Sequence, residues 1–208
     1  MNIYAISGLG ANSMLFDRIR AVLPMQPLEW LTPENGETLQ NYAKRMAKSI
    51  HTEEAFCLLG VSFGGLVVAE MNKFVKPEKN FLISTVHQYS DLRMIYRFLG
   101  KTHFDSILPE SFYKIPFSFL KSFLGANDVD TARKIHQQMN SKHTKWAVGQ
   151  LIRWNGKITE ENVIKINGTN DLLMPIKQDA ITVKVESGTH FMIVDQAETI
   201  AAIIREYL

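Results

Sequence analysis

Three residues in this chain are of the types that together activate a hydroxyl group for attack: Ser62, Asp171 and His190. Ser62 stands in Gly60-Val61-Ser62-Phe63-Gly64-Gly65, after the apolar run Ala55–Leu59 and before a segment of helical character. Gly-x-Ser-x-Gly between a strand and a helix reads as a nucleophile elbow. The turn is tight enough to strain the serine backbone, and side chains two residues either side would collide, hence glycine at 60 and 64. With glycine usage near 7%, the pattern arises by chance in roughly one chain in fifteen of this length. Its strand-turn-helix setting is what gives it meaning.

A serine hydroxyl is a poor nucleophile until a base takes its proton, and an imidazole, with an unperturbed pKa of about 6.5, suits that task. Of six histidines, His190 lies in Gly188-Thr189-His190-Phe191, between the last predicted strand and the last predicted helix. His51 follows a helix, and His87, His103, His136 and His143 fall in or beside a long helical stretch, where they read as solvated surface residues. His87 is the one of these that could touch substrate. The base needs a carboxylate to fix its tautomer, and Asp171, in Asn167-Gly168-Thr169-Asn170-Asp171 ahead of Pro175, is placed for it, with a plain turn aspartate as the alternative. A tetrahedral intermediate also needs backbone donors, expected from Phe63 and from Leu9 in the loop Ser7-Gly8-Leu9-Gly10-Ala11-Asn12.

These residues need a scaffold, and the alternation of short apolar runs with helical periods predicts a mostly parallel sheet with crossover helices. Strands are expected near Ile3–Ser7, Leu28–Leu31, Ala55–Leu59, Asn80–Ser84, Asn162–Ile166 and Ile181–Val185. Helices are expected near Met14–Val22, Thr38–Ile50, Gly65–Val75 and Gln196–Tyr207. Between residues 86 and 155 the strand pattern stops and aromatics accumulate: Tyr89, Tyr96, Phe98, Phe104, Phe112, Tyr113, Phe117, Phe119, Phe123, Trp146 and Trp154. Pro109 and Pro116 break this stretch, which predicts a lid of four short helices inserted into one domain formed by residues 1–85 and 156–208.

The chain has 208 residues, 46% apolar and 21% charged, enough for one filled core. A formal charge of +2 without a basic run points to neither a nucleic-acid nor a membrane partner. The start carries no leader pattern and no apolar run approaches spanning length, so a cytoplasmic protein is expected, a monomer or homodimer acting on a small molecule. Cys57, the lone cysteine, lies in an apolar run and reads as a buried hydrophobe, leaving no disulfide or cysteine-based metal cluster; no cofactor is expected.

Taken together, the segments Ile6–Gly10, Gly60–Gly65, Ile166–Asp171 and Gly188–Met192 resemble the α/β-hydrolase superfamily, more narrowly a small bacterial branch of it, over nearly the whole chain except the lid. The resemblance implies a reduced, mostly parallel six-stranded sheet with an inserted helical lid, and the order nucleophile, acid, base that Ser62, Asp171 and His190 follow. The chain departs from many relatives in carrying Ser7-Gly8 where they have His-Gly, and it starts too abruptly for their antiparallel edge strands. Serine at 62 argues against the carboxylate-nucleophile chemistry of similar dehalogenases and epoxide hydrolases. Cleavage of an ester or thioester through an acyl-enzyme is the implied activity. A lyase or carbon-carbon bond hydrolase using the same triad, or a ligand-binding protein without catalysis, are the competing readings. The aromatics of the insertion favour an apolar acyl or alcohol group; most are expected to hold the lid onto the core and about a quarter to line the pocket. Its ten Lys/Arg against five Asp/Glu read as a solvated helical face, with an anionic ester or acyl-coenzyme A thioester as the other reading.

Overall fold

The computed structural model describes residues 1–102, 104–158, 162–176 and 182–208. Six strands form one sheet in the order β2-β1-β3-β4-β5-β6: β1 Asn2–Ile6, β2 Gln26–Pro27, β3 Phe56–Val61, β4 Lys79–Ile83, β5 Val163–Gly168 and β6 Thr182–Val185. Every pairing is parallel, with Ile3 opposite Cys57, Leu59 opposite Phe81, Ile83 opposite Ile166 and Ile166 opposite Val183. β3 is buried along its whole length, as expected of a strand covered on both faces.

Alternate residues of each strand feed two separate cores, because side chains on a pleated strand point to opposite faces. On one face Ile3, Ala5, Cys57, Leu59 and Val61 pack with Ile19 of α1 (Asp17–Arg20), Met192 of α9 (Met192–Asp195) and Ile200 and Ile204 of α10 (Ala197–Glu206). On the other, Tyr4, Ile6 and Leu58 meet Tyr42 and Met46 of α2 (Leu39–Ala47) and Leu66 and Val67 of α3 (Phe63–Met71). Thr38 caps α2 by accepting from the Asn41 amide, at the predicted start.

Three expectations are corrected. The second strand holds only Gln26–Pro27, not Leu28–Leu31: the Leu28 amide makes a last bond to the Ala5 carbonyl (2.8 Å), and the chain then leaves the sheet edge, the Trp30 indole donating to Ser7 and Ala11 and the Leu31 carbonyl accepting from the Tyr42 hydroxyl. The first helix is a 3-10 turn over Ser13–Phe16 followed by the short α1, whereas the last predicted helix stands undivided as α10, with the short α9 before it. Between β4 and β5 the described residues form five α-helices rather than four: α4 Met94–Thr102, α5 Phe104–Ile107, α6 Phe117–Leu124, α7 Val129–Gln137 and α8 Ser141–Arg153, with 3-10 turns at Tyr89–Asp91 and Glu110–Tyr113. Pro109 and Pro116 do delimit elements, preceding the second 3-10 turn and α6, while Asp128 and Asn140 accept from backbone amides to cap α7 and α8. Ile181 and His103 lie outside the described residues. No helix among the described residues is long and apolar enough to cross a membrane.

Candidate active site

The chain winds from β1 outward to β2 on one side and to β3 on the other, so a crevice opens at the carboxyl ends of β1 and β3, the place where open parallel sheets bind ligands. The loop after β1 and the turn after β3 meet there. A Cβ at position 64 would lie 2.3 Å from the Ile6 carbonyl oxygen, and one at position 60 would lie 2.6 Å from that of Gly64. Only glycine allows this approach. Ser62, between them, has φ 53° and ψ −120°, a conformation costly for a residue with a side chain. Three hydrogen bonds hold it: its amide donates to the Ile83 carbonyl (2.9 Å), and its carbonyl accepts from the Gly65 amide (2.9 Å) and the Thr85 hydroxyl (2.6 Å).

The strained turn lifts the Ser62 hydroxyl toward the imidazole of His190, with Oγ to Nε2 at 2.9 Å. The other ring nitrogen, Nδ1, lies 3.0 and 2.9 Å from the two carboxylate oxygens of Asp171. With the Nδ1 proton donated to the carboxylate, Nε2 becomes the acceptor that the serine hydroxyl needs. The loops bearing Asp171 and His190 are joined through the Asn170 amide, which donates to the Gly188 carbonyl (2.8 Å). Asp171 also accepts from the Leu173 and Met174 amides, each at 2.9 Å, and its side chain is fully buried. Burial alone would raise its carboxyl, but the hydrogen bond and charge of His190 and the Met174 amide outweigh it and hold the group below the ordinary carboxylate range. Asp171 is therefore an anion at neutral pH.

No protein-family model matches the chain, and no curated protein matches it. Solved structures do. A lipase-esterase related protein from Clostridium acetobutylicum superposes with a TM-score of 0.71 at 16% identity, covering 100% of this chain and 94% of that one. A thermophilic esterase from Thermogutta terrifontis gives 0.74 at 13%, covering 100% and 89%. A bromoperoxidase from Bacillus anthracis gives 0.76 at 14%, covering 99% and 91%. This is the α/β-hydrolase fold. At such identities the likeness is one of fold, and the chemistry rests on the residues themselves.

Within this α/β-hydrolase fold the structure brings Ser62, His190 and Asp171 into one hydrogen-bonded row and sets Leu9 beside Ser62 in the lining of one cavity. Phe63 opens α3, where amides of the first turn have no partner within the helix, and its ring is buried against Trp30 and Trp146. The cavity, of about 60 Å³, is lined by Ser62 and His190 of the row, by residues 8–11, by Leu15, Val61 and Phe191, and by Leu120, Leu124, Ala132, Ile135 and Met139 of the helical segment. This corrects the expectation drawn from the aromatics of residues 86–155. Of those whose side chains are described, none lines the cavity; aliphatic residues of α6 and α7 do. Phe98, Phe112, Phe119 and Phe123 face outward, and Trp154 and Tyr113 are buried elsewhere.

Sequence reasoning missed Trp30 and Thr85. The Trp30 indole donates to the Ser7 hydroxyl (2.8 Å) and the Ala11 carbonyl (2.9 Å), fixing the shape of the loop that holds Leu9. A Trp at the carboxyl end of an edge strand was the available signal. His143 is not solvated but enclosed by Trp30, Tyr42 and Trp146, with ring centroids 5.0, 6.3 and 5.6 Å away, and burial lowers its pKa to about 4. His87 is paired with Asp91 (2.8 Å) and His136 with the Ile115 carbonyl (2.7 Å). Neither lines the cavity beside Ser62.

Proposed function

We propose that this protein is a serine hydrolase that cleaves a carboxylic ester or thioester of an apolar small molecule. The observation that carries the reading is the continuous row from the Ser62 hydroxyl through His190 to Asp171, opening on an aliphatic pocket. His190 Nε2 takes the Ser62 proton as Oγ attacks the acyl carbon, and the oxyanion is held by the Leu9 and Phe63 amides. Collapse of the tetrahedral intermediate expels the alcohol or thiol, which receives that proton from His190 and leaves an acyl-enzyme on Ser62. Water, deprotonated by the same nitrogen, attacks the acyl-enzyme; the acid departs and the proton returns to Ser62.

Residues 86–155 act in this reading as a lid: α6 and α7 roof the pocket and exclude water from the acyl group. The pocket's aliphatic lining supports an apolar acyl group over a charged one. The test is turnover of p-nitrophenyl acetate and butyrate and of the matching short acyl thioesters. Ser62→Ala should lower kcat by about 10⁴ or more while retaining the fold. Turnover that survives in this variant would overturn the reading.

A further inference from the structure

We infer that Met139 sets the upper limit on acyl length, as the yielding wall of the apolar pocket over Ser62. This deepens the ester-hydrolase reading and rests on it. A second, polar cavity, of about 210 Å³, lies on the other side of the same loop: Gly10 and Ala11 line both spaces. Its remaining walls include Asn12, Glu29, Trp30, Lys142 and His143.

The three residues between α7 and α8 divide their side chains between the two spaces. Gln138 and Asn140 line the polar cavity, and Met139 alone of the three lines the pocket holding Ser62. Their anchoring differs as well. Gln138 accepts a hydrogen bond from the Asn12 side chain and donates to the Met14 sulfur (3.3 Å), and Asn140 accepts from the His143 amide (3.0 Å). The Met139 side chain is held by packing: its Cε, Cγ and Sδ would lie 2.8, 3.1 and 3.2 Å from a Cβ built on Gly10, so the thioether lies against the loop. A half-buried methionine with three rotatable bonds and no polar tie is a wall that can be shortened without unfastening its neighbours.

A pocket of about 60 Å³ leaves little space beside Ser62, and the Met139 side chain occupies part of its wall. Across the Gly10–Ala11 loop the surroundings change to Glu29, Asn140 and Lys142. The preferred substrates are therefore esters of short, unbranched aliphatic acids, and chain length is read at Met139.

The experiment compares kcat/KM for p-nitrophenyl acetate, butyrate and octanoate in the native protein, Met139→Ala and Met139→Phe. Met139→Ala should raise the octanoate-to-acetate ratio at least about tenfold, and Met139→Phe should lower the butyrate-to-acetate ratio. In parallel, binding of free octanoate and butyrate is followed by tryptophan fluorescence in Ser62→Ala with and without Met139→Ala. The double variant should bind octanoate at least about tenfold more tightly. Unchanged ratios and unchanged binding would overturn the inference. Absent ester turnover in the native protein would overturn the hydrolase reading alone, because carboxylate binding still decides the role of Met139. Should Met139→Ala not fold, the opposite shift in Met139→Phe decides it.

Discussion

The carboxyl edge of the sheet and the helical segment 86–155 are held in place by different means. At the sheet edge the backbone does most of the positioning: Gly64 packs against the Ile6 carbonyl too closely for any Cβ, Ser62 is held at φ 53° by main-chain bonds together with the Thr85 hydroxyl, and the Asn170 amide ties the acid loop to the base loop. The helical segment is tied to the sheet layer largely by long side chains. The Trp146 indole donates to the Glu37 carbonyl (2.9 Å), the Leu39 amide to the Gln150 side chain (2.9 Å), and the Trp154 indole to the buried carboxylate of Glu70 (3.0 Å). It also leaves Met94, Phe98, Ile107, Phe112 and Phe119 exposed. Backbone constraints tolerate no variation, while side-chain ties allow many solutions. On the proposed reading, the chemistry is built on the part of the molecule that cannot drift, and the fit to substrate on the part that can.

This contrast sharpens with variants at the edge. Asp171→Asn keeps the shape of the row but removes the charge that fixes the His190 tautomer, so kcat for a short ester should drop by about 10⁴ with little change in Tm. A loss below tenfold would mean that the carboxylate merely braces the turn formed with Leu173 and Met174. Gly64→Ala should act on stability instead. The added methyl would have to displace the Ile6 and Ser7 carbonyls, and urea unfolding should register a loss of about 3 kcal/mol or more. A native-like midpoint would show that the elbow is less rigid than this comparison requires.

A smaller effect comes from the interface between the two regions, where Trp30, Tyr42 and Trp146 enclose His143. Its folded-state pKa of about 4 lies below the unfolded value near 6.5, so the unfolded chain binds a proton in this window that the folded chain does not. Stability is therefore full above pH 6.5 and declines as pH falls toward 4, by about 3 kcal/mol from this residue. Below 4 it adds no further loss. Chemical denaturation at pH 7, 5.5 and 4.5 should show the decline, and His143→Phe should flatten it; an equal slope in both proteins would place the proton uptake elsewhere.

The same division decides what the sequence could reveal. Gly60, Ser62 and Gly64 were legible because a turn that excludes every Cβ leaves only glycine, and the parallel sheet was legible because strands buried on both faces read as unbroken apolar runs such as Phe56–Leu59. Asp171 and His190 were legible as polar residues at carboxyl strand ends. The helical segment was not. Its aromatics suggested the pocket wall, yet Leu120, Leu124, Ala132 and Ile135 form it, since helical period marks which residues share a face and not which neighbour that face meets. His143 looked like a surface residue for the same reason. β2 was misplaced because most of the apolar run Leu28–Leu31 is bound outside the sheet: past the Leu28 amide, Trp30 bonds to Ser7 and Ala11 and Leu31 to the Tyr42 hydroxyl.

The most direct test of the central claim, that Ser62 is an activated nucleophile paired with His190, is covalent labelling by a fluorophosphonate with the adduct located by peptide mass spectrometry. The account predicts a stoichiometric adduct on Ser62 in the native protein and its loss or severe slowing in His190→Ala. Labelling of another residue, equal labelling in both proteins, or no adduct on the folded native protein would contradict it.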